Sequence, residues 1–258
     1  DYDLNLVSQF QYLGSTFSSN LSLEPEISAR IAKAAGAMSK LQKRVWDNKN
    51  LTNNTNMQVY RACVLSTLLY SSEAWTTYAT QEKRLNSFHL RCLRRIMGIR
   101  WQDLVPNTEV LELAGLPPIF ALLAQRRLNW LGHVRRMDGS RIPKDLLYGE
   151  LAYGARSRGR PSLRYKDSCK RDLKGAGIDL ETWESLAENR GAWRSAVRSG
   201  VERAEEERTT TLQQKRAERK ARSTQDTTAS PFICPTCSRD YHSRIRLYSH
   251  QRKCSTRT

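Results

Sequence analysis

The sequence predicts a mainly α-helical protein: a short N-terminal β-hairpin, a helical body, a basic linker region and a C-terminal ββα zinc finger. Apolar residues recur at steps of three and four in several segments before residue 200, which is the pattern of one helical face. One segment, residues 4–18, instead alternates weakly around Gly14. Three cysteines and a histidine cluster after residue 230, in a module too short to build a core unaided.

The alternating segment contains the tripeptide Tyr12, Leu13 and Gly14. Glycine permits the left-handed backbone of a tight turn, so we expect a strand, a turn at Gly14 and a second short strand. It is the clearest β pattern before the finger.

The helical pattern is strongest in the first half of the chain. Helices are predicted over residues 24–47, 57–75, 81–97, 108–114 and 117–137, with a further helical pattern over 180–197. The fourth would have Asn107 or Thr108 as its cap. The second is apolar nearly all round, so we expect it to be buried. Gly98 and Gly115 should end two of these helices, and Pro117 should begin another. Five tryptophans are expected in the core, and base stacking is the alternative: Trp75, Trp101, Trp130, Trp183 and Trp193. Of these, Trp101 follows a glycine turn and fits a core position least well.

The composition divides the chain into five expected segments. They are a β-hairpin (1–20), a helical domain (21–137), a basic loop with a helical linker domain (138–200), a charged helical or disordered linker (201–230) and the zinc finger (231–258). The fourth has almost no apolar face, so a solvated helix and a disordered segment both fit its composition.

The charge balance points to a polyanionic partner. The net charge is +17 and the isoelectric point about 9.9. Basic side chains that neutralise phosphates release condensed counterions, so nucleic acid, RNA or DNA, is the expected partner. The alternative is a basic protein without a specific anionic ligand. No apolar run is as long as a membrane span, and no secretory leader opens the chain. We therefore expect an intracellular protein without a membrane partner. The nucleus is the expected compartment, and the cytoplasm is the alternative.

The cysteines fall into two groups. Cys63, Cys92 and Cys169 are scattered over helical patterns and are expected to be buried thiols. The other three lie close together, and in a reducing compartment such a cluster indicates a metal site, not disulfides.

The metal ligands have the spacing Cys234-x2-Cys237-x12-His250-x3-Cys254. Two cysteines on a turn and two ligands one helical turn apart give the tetrahedral geometry that Zn²⁺ prefers. Four protein ligands close the coordination shell, so one structural zinc ion is predicted and a catalytic one is not. His242 is an alternative ligand, and a disordered tail without metal is the alternative to the finger as a whole.

Other residues of the finger also match the pattern. Phe232, Tyr241 and Leu247 would form its small core. On the helix, the base-facing positions would be Ser243, Arg246 and Ser249, and Arg246 could address a guanine. The remaining basic residues would touch phosphates: Arg244, Arg252 and Lys253. A finger that packs on its own protein or binds another protein is the alternative.

Basic residues outside the finger are further candidates for nucleic-acid contacts. Several leave the apolar faces of predicted helices, and others lie in the loop "GARSRGRPSLR", which has no hydrophobic periodicity. The candidates are Arg91, Arg94, Arg95, Arg126, Arg127, Arg156, Arg158, Arg160, Arg164 and Lys166.

A series of blocks, in this order, resembles the C-terminal part of the reverse transcriptase of non-LTR (LINE-type) retrotransposons. The blocks are "FQYLGSTFS", "VYRACVLSTLLYSSEAW", "RLNSFHLRCLRRIMGIRWQDLVPNTEVLELAGLP", "QRRLNWLGHVRRM", "LLYGEL", "RSRGRPSLRYKDSCKRDLK", "AWRSAV" and the finger. The resemblance implies that residues 12–14 belong to the edge of the polymerase palm and that the helices of 24–97 form the thumb. It also implies that the basic region and finger bind element RNA or target DNA.

The chain departs from this family at the catalytic centre. The family needs a pair of adjacent aspartates to hold two Mg²⁺ ions, and no Asp-Asp pair occurs in the sequence. The family's endonuclease is also missing, so we expect the chain not to polymerise or cut nucleic acid as it stands. It begins at Asp1 without a methionine, so we expect a fragment whose partner is the parent polymerase segment.

Two other functions remain as alternatives. One is a stand-alone zinc-finger scaffold, or a transcription-related protein derived from such an element, that acts by protein binding. The other is an enzyme with its own site, for which His89 and His133 are the available histidines before the finger. No Ser/His/Asp set, glycine-rich phosphate loop or carboxylate pair accompanies them at a usable spacing, so packing or phosphate-facing roles are expected.

Overall fold

The computed structural model describes residues 7–149, 159, 162–225, 232–241 and 243–254, with the backbone alone at 222–225 and 253. The chain forms two compact units, Asp1–Glu205 and Glu206–Thr258. We call the first the body, and we call residues 232–254 of the second the finger. The predicted basic residues Arg156, Arg158 and Arg160 lie outside the described residues.

The body begins with the predicted hairpin. Strand β1 (Gln9–Tyr12) pairs antiparallel with β2 (Ser15–Ser18), and Phe10 lies opposite Phe17. Gly14 has a φ of +84°, so the predicted turn is confirmed. The Arg30 guanidinium donates to the Gly14 carbonyl at 2.6 Å and thereby ties the turn to the first helix.

Helices make up most of the described chain, which confirms the predicted fold class. In the body they are α1 (Glu24–Lys40), α2 (Asn53–Val59), α3 (Ser66–Leu68), α4 (Ala79–Ile96), α5 (Asn107–Ala114), α6 (Ile119–Arg135), α7 (Ile142–Tyr148), α8 (Tyr165–Gly175) and α9 (Trp183–Glu188). Helix α10 (Arg190–Gln225) follows, and α11 (Arg244–Cys254) lies in the finger. None of the helices in these described stretches is both long enough and apolar enough to cross a membrane.

The predicted helix ends are confirmed where glycine and proline specify them. Gly98 follows α4 with a φ of +69°, and Gly115 caps α5 with a φ of +57°. Pro118 precedes α6 in an extended conformation. These positive φ values are ones that side chains with a Cβ rarely adopt, so the sequence fixes both ends locally.

The helix predicted over 57–75 is not continuous. Helix α2 passes into a π-helical turn (Tyr60–Leu65) and then into α3, and Ser71 has a φ of +61°. The core receives the face that contains Tyr60, Val64 and Leu68. Cys63 lies off that face and is exposed, so the prediction that it is buried is wrong, whereas Cys92 and Cys169 are buried as predicted.

Two apolar clusters form the core of the body. The first joins α1 to α6 and includes Ile27, Tyr60 and Leu93, while the second joins α6, α8, α9 and the start of α10. Helix α6 serves both, with Leu123 in the first cluster and Leu131 in the second. Each fully buried leucine side chain contributes roughly 1.5–3 kcal/mol.

The tryptophans expected in the core lie there with one exception. Trp75 and Trp193 are 4% and 0% exposed, and Trp130 and Trp183 are half-buried against the second cluster. Trp101 is 81% exposed, so the prediction that it belongs to the core is wrong.

A buried ion pair crosses the second cluster. Arg127 on α6 is 1% exposed, and its Nε donates to Asp172 Oδ2 on α8 at 2.6 Å. Its Nη1 donates to Thr77 Oγ1 at 3.0 Å, and Glu82 on α4 lies 3.7 Å from its Nη2. Arg127 was predicted to contact nucleic acid, and this prediction is wrong because its guanidinium is buried and hydrogen-bonded inside the protein.

The charged segment predicted as either a solvated helix or a disordered linker is helical as far as Gln225. Helices α7 and α8 were not predicted individually. Helix α7 is short and buries Leu147, while α8 has few apolar residues and buries Cys169 and Leu173.

Candidate metal centre and basic surfaces

The finger brings the four predicted metal ligands together. Cys234 and Cys237 lie on a turn, and His250 and Cys254 lie one turn apart on α11. Their ligand atoms are all within 4.8 Å of one another. Cys237 Sγ lies 3.1 Å from His250 Nε2. The predicted spacing therefore converges on a site of the size that one ion needs.

Backbone hydrogen bonds shape the cysteine turn. The Ser238 amide donates to the Cys234 carbonyl at 2.8 Å, and the Cys234 amide donates to the Arg239 carbonyl at 2.9 Å. Ser238 adopts a φ of +54°, which turns the chain back immediately after Cys237. The two strands expected in a ββα module are represented by one antiparallel bridge between Ile233 and Asp240.

The small core predicted for the finger is shallow. Phe232, Tyr241 and Leu247 are all half-buried. The Tyr241 ring stacks on the His250 imidazole with 4.7 Å between centroids and 27° between planes. That contact orients a ligand side chain, although it excludes little water.

The thiols of the cluster differ in acidity. Burial alone would raise the pKa of Cys234, but the hydrogen bonds that its sulfur accepts from the backbone amides of Cys237 and Thr236 lower that pKa to about 6. Burial raises the pKa of Cys254 to about 11, and its hydrogen bond with Cys237 acts in the same direction. Thiolates are the metal-binding form, so binding an ion here would release protons.

The donor set fits zinc. Three sulfurs and one imidazole are soft or borderline ligands, which suit Zn²⁺ in a tetrahedron. Cys234, Cys237, His250 and Cys254 would hold the ion and would leave no open position for substrate. The alternative ligand His242 lies outside the described residues.

The first turn of α11 shows how the predicted base-facing residues are used. The Ser243 hydroxyl accepts a hydrogen bond from the Arg246 amide at 3.4 Å, as an N-cap residue does. Arg244, Arg246 and Ser249 are exposed. Ser243 thus caps the helix. Of the two exposed residues at base-facing positions, Arg246 has the longer side chain and more hydrogen-bond donors than Ser249.

The outer part of α11 combines charge with apolar surface. The Arg252 guanidinium lies 5.7 Å from the centroid of the Tyr248 ring. Tyr248 is 63% exposed and Ile245 is 80% exposed. For Lys253, the side chain is outside the described part of the chain.

The predicted basic residues of α4 divide between surface and structure. Arg91 and Arg95 are exposed and lie one helical turn apart. Arg94 is half-buried and donates to the Val105 carbonyl at 2.8 Å and to Asn107 Oδ1 at 2.9 Å. Arg94 therefore fixes the loop before α5.

The remaining predicted cations of the body are engaged to different degrees. Arg126 is half-buried and donates to the Leu69 carbonyl at 2.7 Å. Arg164 is exposed and pairs with Asp167 at 3.3 Å at the start of α8, where Lys166 is half-buried. Arg126 and Arg164 are therefore already engaged by partners within the body.

A concave surface between α6 and α10 is lined by three cations that were not among the predicted nucleic-acid contacts. These are Arg136, Arg190 and Arg194, around a cavity of about 370 Å³. The spacing of Arg190 and Arg194 places both on one face of α10. The spacing of these two arginines can be read from the sequence, but the packing of α6 opposite them cannot.

Comparison with known proteins gives one informative relationship. Over 203 residues the chain is 27% identical to an uncharacterized transposon-derived protein of Caenorhabditis elegans. The aligned stretch covers 76% of this chain and 72% of the relative. No family model matches the chain. No solved structure matches it either. The chain is therefore similar to a protein of transposon origin.

Proposed function

We propose that this chain is a transposon-derived nucleic-acid-binding protein that corresponds to the C-terminal region of a non-LTR retrotransposon reverse transcriptase. It holds template–primer or target nucleic acid, RNA or DNA, and acts by binding and not by catalysis. The observation that carries the proposal is the finger, where a Cys-Cys-His-Cys site orders a helix with exposed Arg244 and Arg246.

Zinc has a structural role in this proposal. The ion joins the cysteine turn to α11, so the arginines of α11 project from a fixed helix. Guanidinium groups form paired hydrogen bonds with phosphate oxygens and with guanine edges. A single finger spans about 3 base pairs, too few to select a genomic site by itself, so its contribution is local.

The body supplies a second set of contacts. Arg91 and Arg95 are exposed cations on one face of α4, and the net charge of +17 favours polyanions over the whole chain. The similarity to a transposon-derived protein supports an origin in a mobile element.

Filter binding of the zinc-loaded full chain to a primer–template duplex tests the proposal. We expect Arg244→Glu with Arg246→Glu to weaken binding by about tenfold or more, because charge-assisted hydrogen bonds are lost and repulsion replaces them. Arg91→Glu with Arg95→Glu should act in the same direction. The matched control, Lys40→Glu with Arg44→Glu, makes the same charge change at the end of α1 and should weaken binding less. Equal losses in all three would mean that only net charge matters.

A protein-binding function is the second candidate. Ile245 and Tyr248 expose apolar surface on α11, which is typical of a contact with another protein. In that case the zinc-loaded chain would not bind duplex at low salt, and Ile245→Asp would abolish capture of its protein partner. Retained duplex binding by Ile245→Asp would favour the nucleic-acid function.

A further inference from the structure

Two helical faces of the body meet around the cavity of about 370 Å³. Helix α6 contributes residues spaced four and then three apart, and the first turns of α10 contribute two arginines spaced four apart. The lining residues are Asn129, His133, Arg136, Arg190, Trp193 and Arg194. We call this surface the arginine cleft.

Trp193 fixes the separation of the two helices. It is 0% exposed, and its indole N–H donates to the Leu128 carbonyl on α6 at 3.0 Å. A Cβ added to Gly132 would lie 2.2 Å from Trp193 Nε1, so the close approach requires glycine at that position. The arginines on either side of Trp193 therefore extend from a rigid base.

The start of α10 is also well defined. Asn189 Oδ1 accepts hydrogen bonds from the amides of Gly191 and Ala192 at 3.0 and 3.1 Å. This cap places Arg190 in the first turn, where the helix dipole adds positive potential.

Three arginines line the cleft, and none of its described lining residues has a carboxylate. The neighbouring acids, Glu184 and Glu188, pair with Arg135 at 3.4 and 3.0 Å. Arg190 and Arg194 are exposed, while Arg136 donates through Nη1 to the Ala187 carbonyl at 2.5 Å and keeps other donors. A concave surface lined by one sign of charge concentrates the field on whatever enters it.

The α6 side of the cleft also contributes an imidazole. His133 is exposed, and its ring packs against Trp130 with 5.2 Å between centroids. Its ring nitrogens can donate or accept, as can the amide of Asn129. The cleft thus offers further hydrogen-bonding groups beside its three guanidinium groups.

We propose that the arginine cleft binds the terminal phosphate of a nucleic-acid strand. A phosphomonoester carries a charge of about −1.5 to −2 at neutral pH and three accepting oxygens, so it can engage several guanidinium forks at once. A phosphodiester carries one negative charge and has a sugar on each side, which hinders its entry into a concavity between two helices. This inference rests on the proposed nucleic-acid binding and adds a preference for strand ends.

Fluorescence anisotropy on the zinc-loaded full chain tests the cleft. The probes are one short single-stranded oligonucleotide in three forms: with a 5′-phosphate, with a 3′-phosphate and with neither. We expect at least one phosphorylated form to bind about tenfold more tightly than the form with two hydroxyl ends, since each charge-assisted hydrogen bond contributes strongly. Arg190→Gln with Arg194→Gln should remove the difference, and both residues are exposed, so folding should be retained.

A matched variant separates the cleft from general charge. Arg91→Gln with Arg95→Gln should weaken all three probes to a similar degree and keep their ratio. Equal affinity for the three probes in the unmodified chain would overturn the cleft assignment and leave the proposed function standing. A ratio that survives in Arg190→Gln with Arg194→Gln would also overturn it. No binding of any probe would contradict both proposals.

Discussion

The body and the finger differ in how much apolar surface each of them buries internally. The body buries two clusters of aliphatic and aromatic side chains, with Trp193, Leu93 and Leu131 almost fully enclosed. Within the described part of the finger, Cys234 is the side chain that is fully buried, while Phe232 and Tyr241 are half-exposed. Apolar burial can stabilise the body, but the finger has too little of it, so the proposed zinc ion would have to supply most of its stability.

Removal of zinc should have the largest effect and should be confined to the finger. Structural zinc in finger peptides binds with about 10–16 kcal/mol of apparent free energy, far more than the shallow core supplies. With a chelator, we expect the amide NMR signals of residues 232–254 to collapse to unfolded positions, while those of α1 to α6 persist.

Two variants sharpen this first prediction. Cys237→Ser should abolish binding of the single zinc ion, whereas Cys63→Ala, which changes an exposed thiol of the body, should leave it unchanged. A finger whose α11 signals stay dispersed without metal would show that the two units do not differ in the way described.

The next effect concerns the charged part of the core of the body. Asp172→Ala should destabilise the body by about 3–5 kcal/mol in urea unfolding, because Arg127 is left buried without its closest carboxylate. Arg127→Met with Asp172→Leu should recover most of this loss, since an apolar pair needs no charge partner. A loss below about 1 kcal/mol for Asp172→Ala would contradict the assignment of a dry, paired site.

These two regions also mark what could be predicted from sequence. The Cys/His cluster could be predicted because Cys234, Cys237, His250 and Cys254 follow local rules of turn and helix spacing, and their convergence forms a group that could hold a metal ion. The burial of Arg127 was missed because its partner, Asp172, is 45 residues away along the chain. The exposure of Cys63 was missed because a π-helical turn is not visible in a 3.6-residue periodicity. Helix ends at Gly98 and Gly115 were predictable, since a positive φ is a local requirement.

A smaller effect should appear on acidification of the body. Burial lowers the pKa of His89 from 6.5 to about 4, although the Pro117 carbonyl partly opposes this, and Tyr60 Oη lies 2.8 Å from His89 Nδ1. The unfolded chain therefore takes up a proton below pH 6.5 that the folded chain resists until about pH 4. The stability is fully present above pH 6.5 and falls by about 3 kcal/mol by pH 4.

Urea unfolding at several pH values measures this loss. The non-titrating variant His89→Gln should lack this part of the pH dependence. An equal decline in both proteins between pH 6.5 and 4 would assign the effect to other groups.

The smallest expected effect tests the close packing beneath the arginine cleft. Gly132→Ala should cost about 1–3 kcal/mol, because its methyl group would overlap the Trp193 indole. The matched control is Gly36→Ala in α1, where no atom lies within 4 Å of the added Cβ, and it should gain about 0.5–1 kcal/mol of helix stability. If both variants gave the same change in unfolding free energy, the α6 to α10 contact would be looser than described.

The central claim is that exposed cations in both units bind nucleic-acid phosphates, and the salt dependence of binding tests it most directly. Four exposed arginines (Arg91, Arg95, Arg244 and Arg246) that each neutralise one phosphate predict a slope of about −4 for log affinity against log salt concentration on duplex DNA. Removal of zinc should reduce the magnitude of that slope by about 2, because the finger arginines lose their ordered helix. A flat response to salt, or no binding at low salt, would contradict the account.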